Sequence, residues 1–292
     1  MRIIVNLIRF LALTFVYFCT FAVVSGLLLS MRAAEQPAPA EPGTALLALL
    51  AVSIINTAVF TYIILRSRWT GWKLVVSIFF VFYGVTTLMP QIETAFFVTR
   101  LPPGMLPRLF LAGAIMAAVF SPLAVLILAR ARSRVSNVPG PSWPKLSVGA
   151  WVARLALIIV AYEVIYFTFG YFIAWKSPAV RAYYGGSDPH GFIDHLISLL
   201  RDQPSLFLLQ AARALLWTAC ALPIMKMMKG EWWESGLAVA LLFAAVNSQL
   251  LLPNPLMPYE VRMAHLVETA TSNFLFGWLI VIVLRKIRPK SV

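Results

Sequence analysis

The sequence predicts an all-α, polytopic integral membrane protein with eight transmembrane helices. Three observations carry that prediction. The first is composition: of 292 residues, 61% are hydrophobic and 12% charged, and the mean hydropathy is +0.84. Soluble domains run near half apolar and about a quarter charged, because a soluble fold needs a wetted exterior. The second is a series of eight apolar runs, each near the roughly 20 residues that cross a bilayer as a helix. They cover 3–30, 44–65, 73–97, 107–129, 149–175, 205–225, 235–252 and 263–284. The runs are continuous rather than alternating, which excludes a spanning β-barrel. The third is the placement of the basic residues. With the N-terminus inside, sixteen of the 24 Lys and Arg fall at cytoplasmic ends, seven at outer ends, and Arg213 within a span. That asymmetry supports both termini in the cytoplasm. Short loops and a compact chain point to a prokaryotic-type plasma (inner) membrane.

The spans follow one another with recognisable connections. The first run is too long for a signal-peptide core and reads as a retained helix. A short Pro/Glu/Ala loop, Glu35–Gly43, leads to the second run, which closes on Arg66-Ser-Arg-Trp-Thr-Gly-Trp72. The third run carries Glu93 near its outer end, and the fourth follows Met105-Leu-Pro-Arg108. Arg130–Lys145 is the longest cytoplasmic connection. It divides the chain into residues 1–135, with spans 1–4, and residues 136–292, with spans 5–8. The fifth run carries Glu163 near its middle. The outer segment 176–204 follows, and inside it Gly191–Arg201 reads as an amphipathic helix lying on the membrane surface. Spans 6, 7 and 8 complete the chain.

The two halves resemble each other as a parallel pseudo-repeat of four helices, an arrangement transporters use. Arg9 matches Arg154 at the head of the first helix of each half. The Trp69/Trp72 turn matches the Trp232/Trp233 turn, and Arg108 and Phe120 match Arg262 and Phe274. In that alignment His265 and Glu268 stand where the first half has Leu111 and Ala114.

Charges inside a bilayer are costly, and they face the bundle interior or an aqueous cavity. The last span carries Arg262, His265, Glu268, Thr269, Ser272 and Asn273 at spacings of three and four, which puts them on one helix face. By helix rise, Glu268 lies roughly 8 Å from the outer end of its span. The sixth span answers with Gln210, Arg213 and Trp217 at the same spacing. Arg213 is the basic partner at depth for Glu93, Glu163 and Glu268. Guanidinium–carboxylate pairing suits burial. A His and a carboxylate on one face can relay protons. Arg213, Arg262 and His265 can together line an anion site.

Other chemistry is thinly represented. Cys19 and Cys220 form no CxxC or zinc-finger spacing. P-loop, GxSxG and dinucleotide fingerprints do not occur, so no cofactor is expected. No metal site is expected either. Asp188, His190, Asp194 and His195 are the metal candidates, and they read more simply as a solvated turn and helix start, with Asp188 capping. The net charge of +13 follows from topology and attraction to anionic lipid headgroups rather than nucleic acid. Expected partners are the bilayer and a small anionic or lipid-like ligand.

The favoured function is a transporter or permease. Its site would lie in the outer half of the membrane, between spans 3, 5, 6 and 8, built from Arg213, Glu268, His265, Glu93, Glu163, Arg262, Gln210 and Asn273. One alternative is a membrane-embedded enzyme acting on a lipid or lipid-linked substrate at the outer leaflet. The other is a non-catalytic subunit whose buried ion pairs are structural.

Overall fold

In hydrocarbon every backbone N–H and C=O must be satisfied within the chain, so long apolar runs fold as helices. The computed structural model describes residues 2–29, 42–98, 101–130, 147–186, 191–254 and 256–285. Among them, eight helices are long and apolar enough to cross a membrane: Ile3–Leu28, Thr44–Arg66, Gly71–Phe97, Met105–Ile127, Val148–Ala174, Pro204–Met227, Trp232–Leu251 and Tyr259–Leu284. The protein is therefore an all-helical, multi-pass membrane protein. The described residues form no strand, only an isolated antiparallel bridge between Ser67 and Met228.

In chain order the α-helices are α1 (Arg2–Leu29), α2 (Pro42–Arg66), α3 (Gly71–Tyr83), α4 (Met89–Phe97), α5 (Met105–Ile127) and α6 (Val148–Phe169). They continue with α7 (Pro178–Tyr184), α8 (Phe192–Asp202), α9 (Pro204–Met227), α10 (Trp232–Ala245) and α11 (Tyr259–Leu284). Three spans depart from regular helix. A π turn, Gly84–Leu88, joins α3 to α4; a second, Gly170–Ala174, extends α6; and a 3₁₀ turn, Val246–Leu251, extends α10. The first has a covalent cause close by. Pro90, in the first turn of α4, has no N–H to give the carbonyl of Thr86, and its ring would crowd that carbonyl in a regular helix. The wider turn relieves the crowding. The Thr86 carbonyl accepts instead from Gln249 Nε2 at 3.3 Å, which ties the third span to the seventh.

Packing is organised around aromatic side chains. Tyr17, Phe60, Phe82 and Phe120, one from each of the first four spans, are fully buried. Their ring centroids lie between 5.0 Å (Phe82–Phe120) and 5.9 Å (Tyr17–Phe82) apart. In the later spans Tyr162 packs on Phe276 at 4.5 Å and Trp217 on Phe243 at 4.3 Å. Phe274, the residue matched to Phe120 by sequence, is 37% exposed, and Phe276 holds the buried position. Contacts between the halves run from α2 to α10 and from α3 and α4 to α9. Two glycines permit close approach: a Cβ at Gly277 would come within 2.7 Å of the Ala240 Cα, and one at Gly84 within 2.5 Å of Cys220 Sγ.

The end of the bundle bearing Arg66 and Lys229 is tied together by the chain itself. Arg68 N donates to Met227 O at 2.7 Å, and Lys229 N donates to Arg66 O at 3.0 Å. Arg66 holds Glu234 with Nε to Oε2 at 2.9 Å and Nη2 to Oε1 at 2.6 Å. Arg130 donates to the carbonyls of Ser67 and Trp69. Gly71 opens α3 at φ +59°, a left-handed conformation that suits glycine. Its N–H donates to Arg130 O at 2.9 Å. At the opposite end α8 lies against the fifth span. Phe192 meets Tyr171 and Phe172, at 5.2 and 5.4 Å between centroids, while Ile193, Ile197 and Leu200 stay exposed. The segment is amphipathic, with one apolar row docked and the other facing outward.

Candidate functional site

The site is built from one face of α9 outward. Gln210, Arg213 and Trp217 recur at three and four, so they share a face, and all three are buried. Arg213 Nη1 donates to Gln210 Oε1 at 2.8 Å. The same guanidinium nitrogen forms an ion pair with Glu93 Oε1. The burial of this pair is unequal: the Arg213 side chain is 4% exposed and that of Glu93 31%. Glu93 therefore stands between the buried cation and the surroundings. The Arg213 guanidinium lies 5.9 Å from the centre of the Tyr162 ring. Three buried donors on this face lack a well-formed hydrogen bond: Gln210 Nε2, Arg213 Nε and Trp217 Nε1, the last beside the Tyr162 hydroxyl. An unsatisfied buried polar group costs about 1–3 kcal/mol, so three on one face are an expensive grouping.

The last span supplies the second part. His265 Nδ1 lies 2.7 Å from Glu268 Oε2, and His265 Nε2 lies 3.3 Å from the Tyr184 hydroxyl. Burial, Tyr183 and the charges of Glu93 and Glu268 all push the Tyr184 pKa up, so its hydroxyl keeps its proton. It donates to Nε2 when the imidazole is neutral and accepts from Nε2–H when the ring is protonated, and in both states Nδ1–H faces the Glu268 carboxylate. Tyr184–His265–Glu268 is thus a continuous hydrogen-bonded chain. It runs from a partly exposed tyrosine to a carboxylate 7% exposed. The short helix α7 positions Tyr184. Val180 packs with Ala174 and Val261, and the Tyr183 hydroxyl donates to Leu256 O at 2.7 Å. The Tyr184 ring meets Phe97 at 6.3 Å, which brings α7 against the helix that carries Glu93.

Tyr166 joins the two parts, being within electrostatic reach of Glu93, Glu268 and Arg213. Tyr162, one turn earlier on α6, faces the same three groups. Neither tyrosine, nor Tyr184, emerged from the sequence reading. The signal for the first two was their spacing of four on the fifth span. Tyr184 lies outside the spans, and nothing in its neighbourhood announced it.

The structure sorts the candidates. Arg213, Gln210, Glu93, His265 and Glu268 come together. Glu163 does not: it follows Tyr162 by one residue, about 100° round the helix, and forms no hydrogen bond or ion pair with any described residue. Arg262 is occupied otherwise. Its Nη1 donates to the carbonyls of Leu250, at 3.0 Å, and Leu252, where the 3₁₀ turn ends. Its guanidinium lies 5.7 Å from the Tyr259 ring. These hydrogen bonds make Arg262 a backbone clamp, and none joins it to Arg213 among the described residues. Asn273 is buried but shares no hydrogen bond with the charged groups. Asp188 and His190 lie outside the described residues. Asp194 and His195 sit on α8, and no group of three or more His, Cys, Asp or Glu among the described residues is placed to hold a metal ion. His195 packs in tilted contacts on Tyr171 and Trp175, at 5.4 and 5.3 Å between centroids.

A buried arginine paired with a partly exposed carboxylate, beside a Tyr–His–Glu chain, has the groups needed to hold an anion and to pass a proton. No protein-family model matches this chain, and comparison with curated proteins and with solved structures finds no match.

Proposed function

We propose that this protein is a plasma-membrane transporter or permease. In this reading the translocation site is the Arg213–Glu93 pair, and Tyr184–His265–Glu268 is its proton path. The observation that carries the reading is the buried Arg213–Glu93 pair beside that chain. Buried charges in a bilayer generally mark ion or substrate pathways, and this cluster joins helices from the third, fifth, sixth and eighth spans.

The ends of the bundle support the same reading. The basic end, cytoplasmic by the positive-inside rule, is closed by the Ser67–Met228 bridge and the Arg66–Glu234 pair. The other end leaves Glu93 and His265 partly exposed. Two sets of packing relations favour a parallel pseudo-repeat. Tyr17–Phe120 has its analogue in Tyr162–Phe276. The Ser67–Met228 bridge joins the turns that follow the second helix of each half, with reciprocal hydrogen bonds. A rocking motion about such an axis is how parallel repeats alternate access.

The test is reconstitution into proteoliposomes that enclose a pH-sensitive dye. A panel of small anions, cations and neutral solutes is added outside while internal pH is followed. At least one solute should drive proton movement that Glu268→Gln and Arg213→Gln abolish, with both variants still folded. Wild-type rates in both variants would end the proposal. The exposed row Ile193, Ile197 and Leu200 on α8 favours a second reading, an enzyme working at the lipid surface. Turnover of a lipid in detergent, without any gradient, would select it.

A further inference from the structure

We infer that the substrate class of the Arg213 site is a monocarboxylate with an apolar body, whose carboxylate takes the place of Glu93 on Arg213. The inference rests on the transport reading for its purpose but not for its chemistry.

The geometry points to a carboxylate in three steps. Arg213 is buried, and the charge that balances it comes from a side chain 31% exposed. A partner in that position can be exchanged without uncovering the arginine. Next, the face around Arg213 carries unpaired donors rather than unpaired acceptors: Gln210 Nε2, Arg213 Nε and Trp217 Nε1. Three donors on one wall suit a group that only accepts, and a carboxylate with its four lone-pair positions is such a group. Finally, the charge count sets the valence. Arg213 is the one permanent cation in the buried cluster, His265 being held by Glu268, and Glu93 and Glu268 both lie near. A dianion such as phosphate would find no surplus positive charge there. A monoanion that replaces Glu93 leaves the buried charge as it was.

The body of the ligand follows from the remaining walls. Tyr162 and Trp217 are almost fully buried beside Arg213, backed by Phe276 and Phe243. They make the surroundings of Arg213 apolar, which suits a carboxylate carried on an aromatic or branched apolar group.

Benzoate is the probe, with benzamide as its neutral isostere and inorganic phosphate as the dianion. Binding to the purified full-length protein in detergent is measured by calorimetry. Wild type should bind benzoate and neither control. Trp217→Phe, which keeps the ring and removes one donor, should bind benzoate several-fold more weakly. Glu93→Gln removes the competing carboxylate and should bind benzoate roughly 10-fold or more tightly. Benzoate should also raise the unfolding temperature of Glu93→Gln more than that of wild type. A purely structural ion pair predicts no benzoate binding to wild type and no effect of Trp217→Phe. Dodecanoate in place of benzoate tests whether the carboxylate arrives from the lipid phase, and tighter binding of it keeps the carboxylate on Arg213. Failure of wild type to bind either acid, or equal binding of benzamide, overturns the inference. The outcomes separate it from the transport reading. Benzoate binding without proton movement in proteoliposomes leaves the site and removes the transporter. Proton movement driven by a cation, without benzoate binding, does the reverse.

Discussion

The unequal burial of Arg213 and Glu93 makes a quantitative prediction about stability. Substituting Glu93 by Gln leaves a guanidinium 4% exposed without its counter-charge, a change that typically costs about 3–5 kcal/mol. Substituting Arg213 by Met instead leaves Glu93, 31% exposed, able to turn toward water. It also removes the buried charge and fills much of the same volume, so the loss should be about 1–2 kcal/mol, most of it the orphaned Gln210 acceptor. The double variant has neither charge and should lie within about 1 kcal/mol of wild type. The coupling energy of the cycle is then of the order of 3–7 kcal/mol, well above the scatter of independent sites. Equilibrium unfolding of the four proteins in mixed micelles measures all three quantities. The reasoning is refuted if Arg213→Met is more damaging than Glu93→Gln, or if the double variant is no more stable than Glu93→Gln alone.

Two further predictions concern residues outside that pair. Arg262→Lys should lower stability by roughly 1–2 kcal/mol, because an ammonium replaces the planar guanidinium that clamps the carbonyls of Leu250 and Leu252. Benzoate binding should be unchanged in this variant, and a loss of binding at wild-type stability would return Arg262 to the anion site. His195 should weaken α8 in mild acid. Its burial lowers its pKa below 6.5, so the folded form favours the neutral ring while the unfolded form still protonates near 6.5. The stabilisation is complete above that value and declines as pH falls from it toward the folded pKa. Hydrogen exchange of residues 192–202 should quicken between pH 7 and 5 beyond the chemical trend, and His195→Gln should remove that excess. An unchanged excess in the variant would place the titration elsewhere.

The eight spans were legible in the sequence to within a few residues, because hydropathy and the need to satisfy the backbone act over a whole span. The irregular turns at Gly84–Leu88, Gly170–Ala174 and Val246–Leu251 were not. Hydropathy is blind to hydrogen-bond register, although Pro90 was a local sign of the first. The site was half legible. Spacing placed Gln210, Arg213 and Trp217 on one face, and His265 with Glu268 on another. Which carboxylate meets Arg213 depends on how each helix is rotated about its own axis. Glu93, Glu163 and Glu268 looked alike in the sequence, yet Glu93 makes the ion pair and Glu163 points away from it. Arg262 carried the same ambiguity. A basic residue heading a polar stripe does not reveal whether carbonyls from the preceding turn already occupy it.

A structural clamp and a binding site make different demands on the same charges. A clamp is best when every polar atom it buries is paired, since each unpaired one subtracts from the stability that the clamp supplies. The Arg66–Glu234 pair meets that standard at an exposed position, with two nitrogens on two oxygens, whereas the buried Arg262 clamp leaves its Nε unpaired. Arg213 does not meet it either. It pairs with Glu93 through one nitrogen, leaves Nε unpaired, and stands between two further unpaired donors on Gln210 and Trp217. If locking α9 to α4 were its whole task, Leu or Met at 213 with an apolar residue at 93 would do it at no desolvation cost. Hydrogen-bonding capacity left unused beside an exchangeable carboxylate is what a site for another acceptor requires. For this reason the cycle at Arg213 and Glu93 and the benzoate titration belong together. A clamp predicts strong coupling and no ligand, whereas a site predicts strong coupling and a ligand that competes with Glu93 for the same guanidinium.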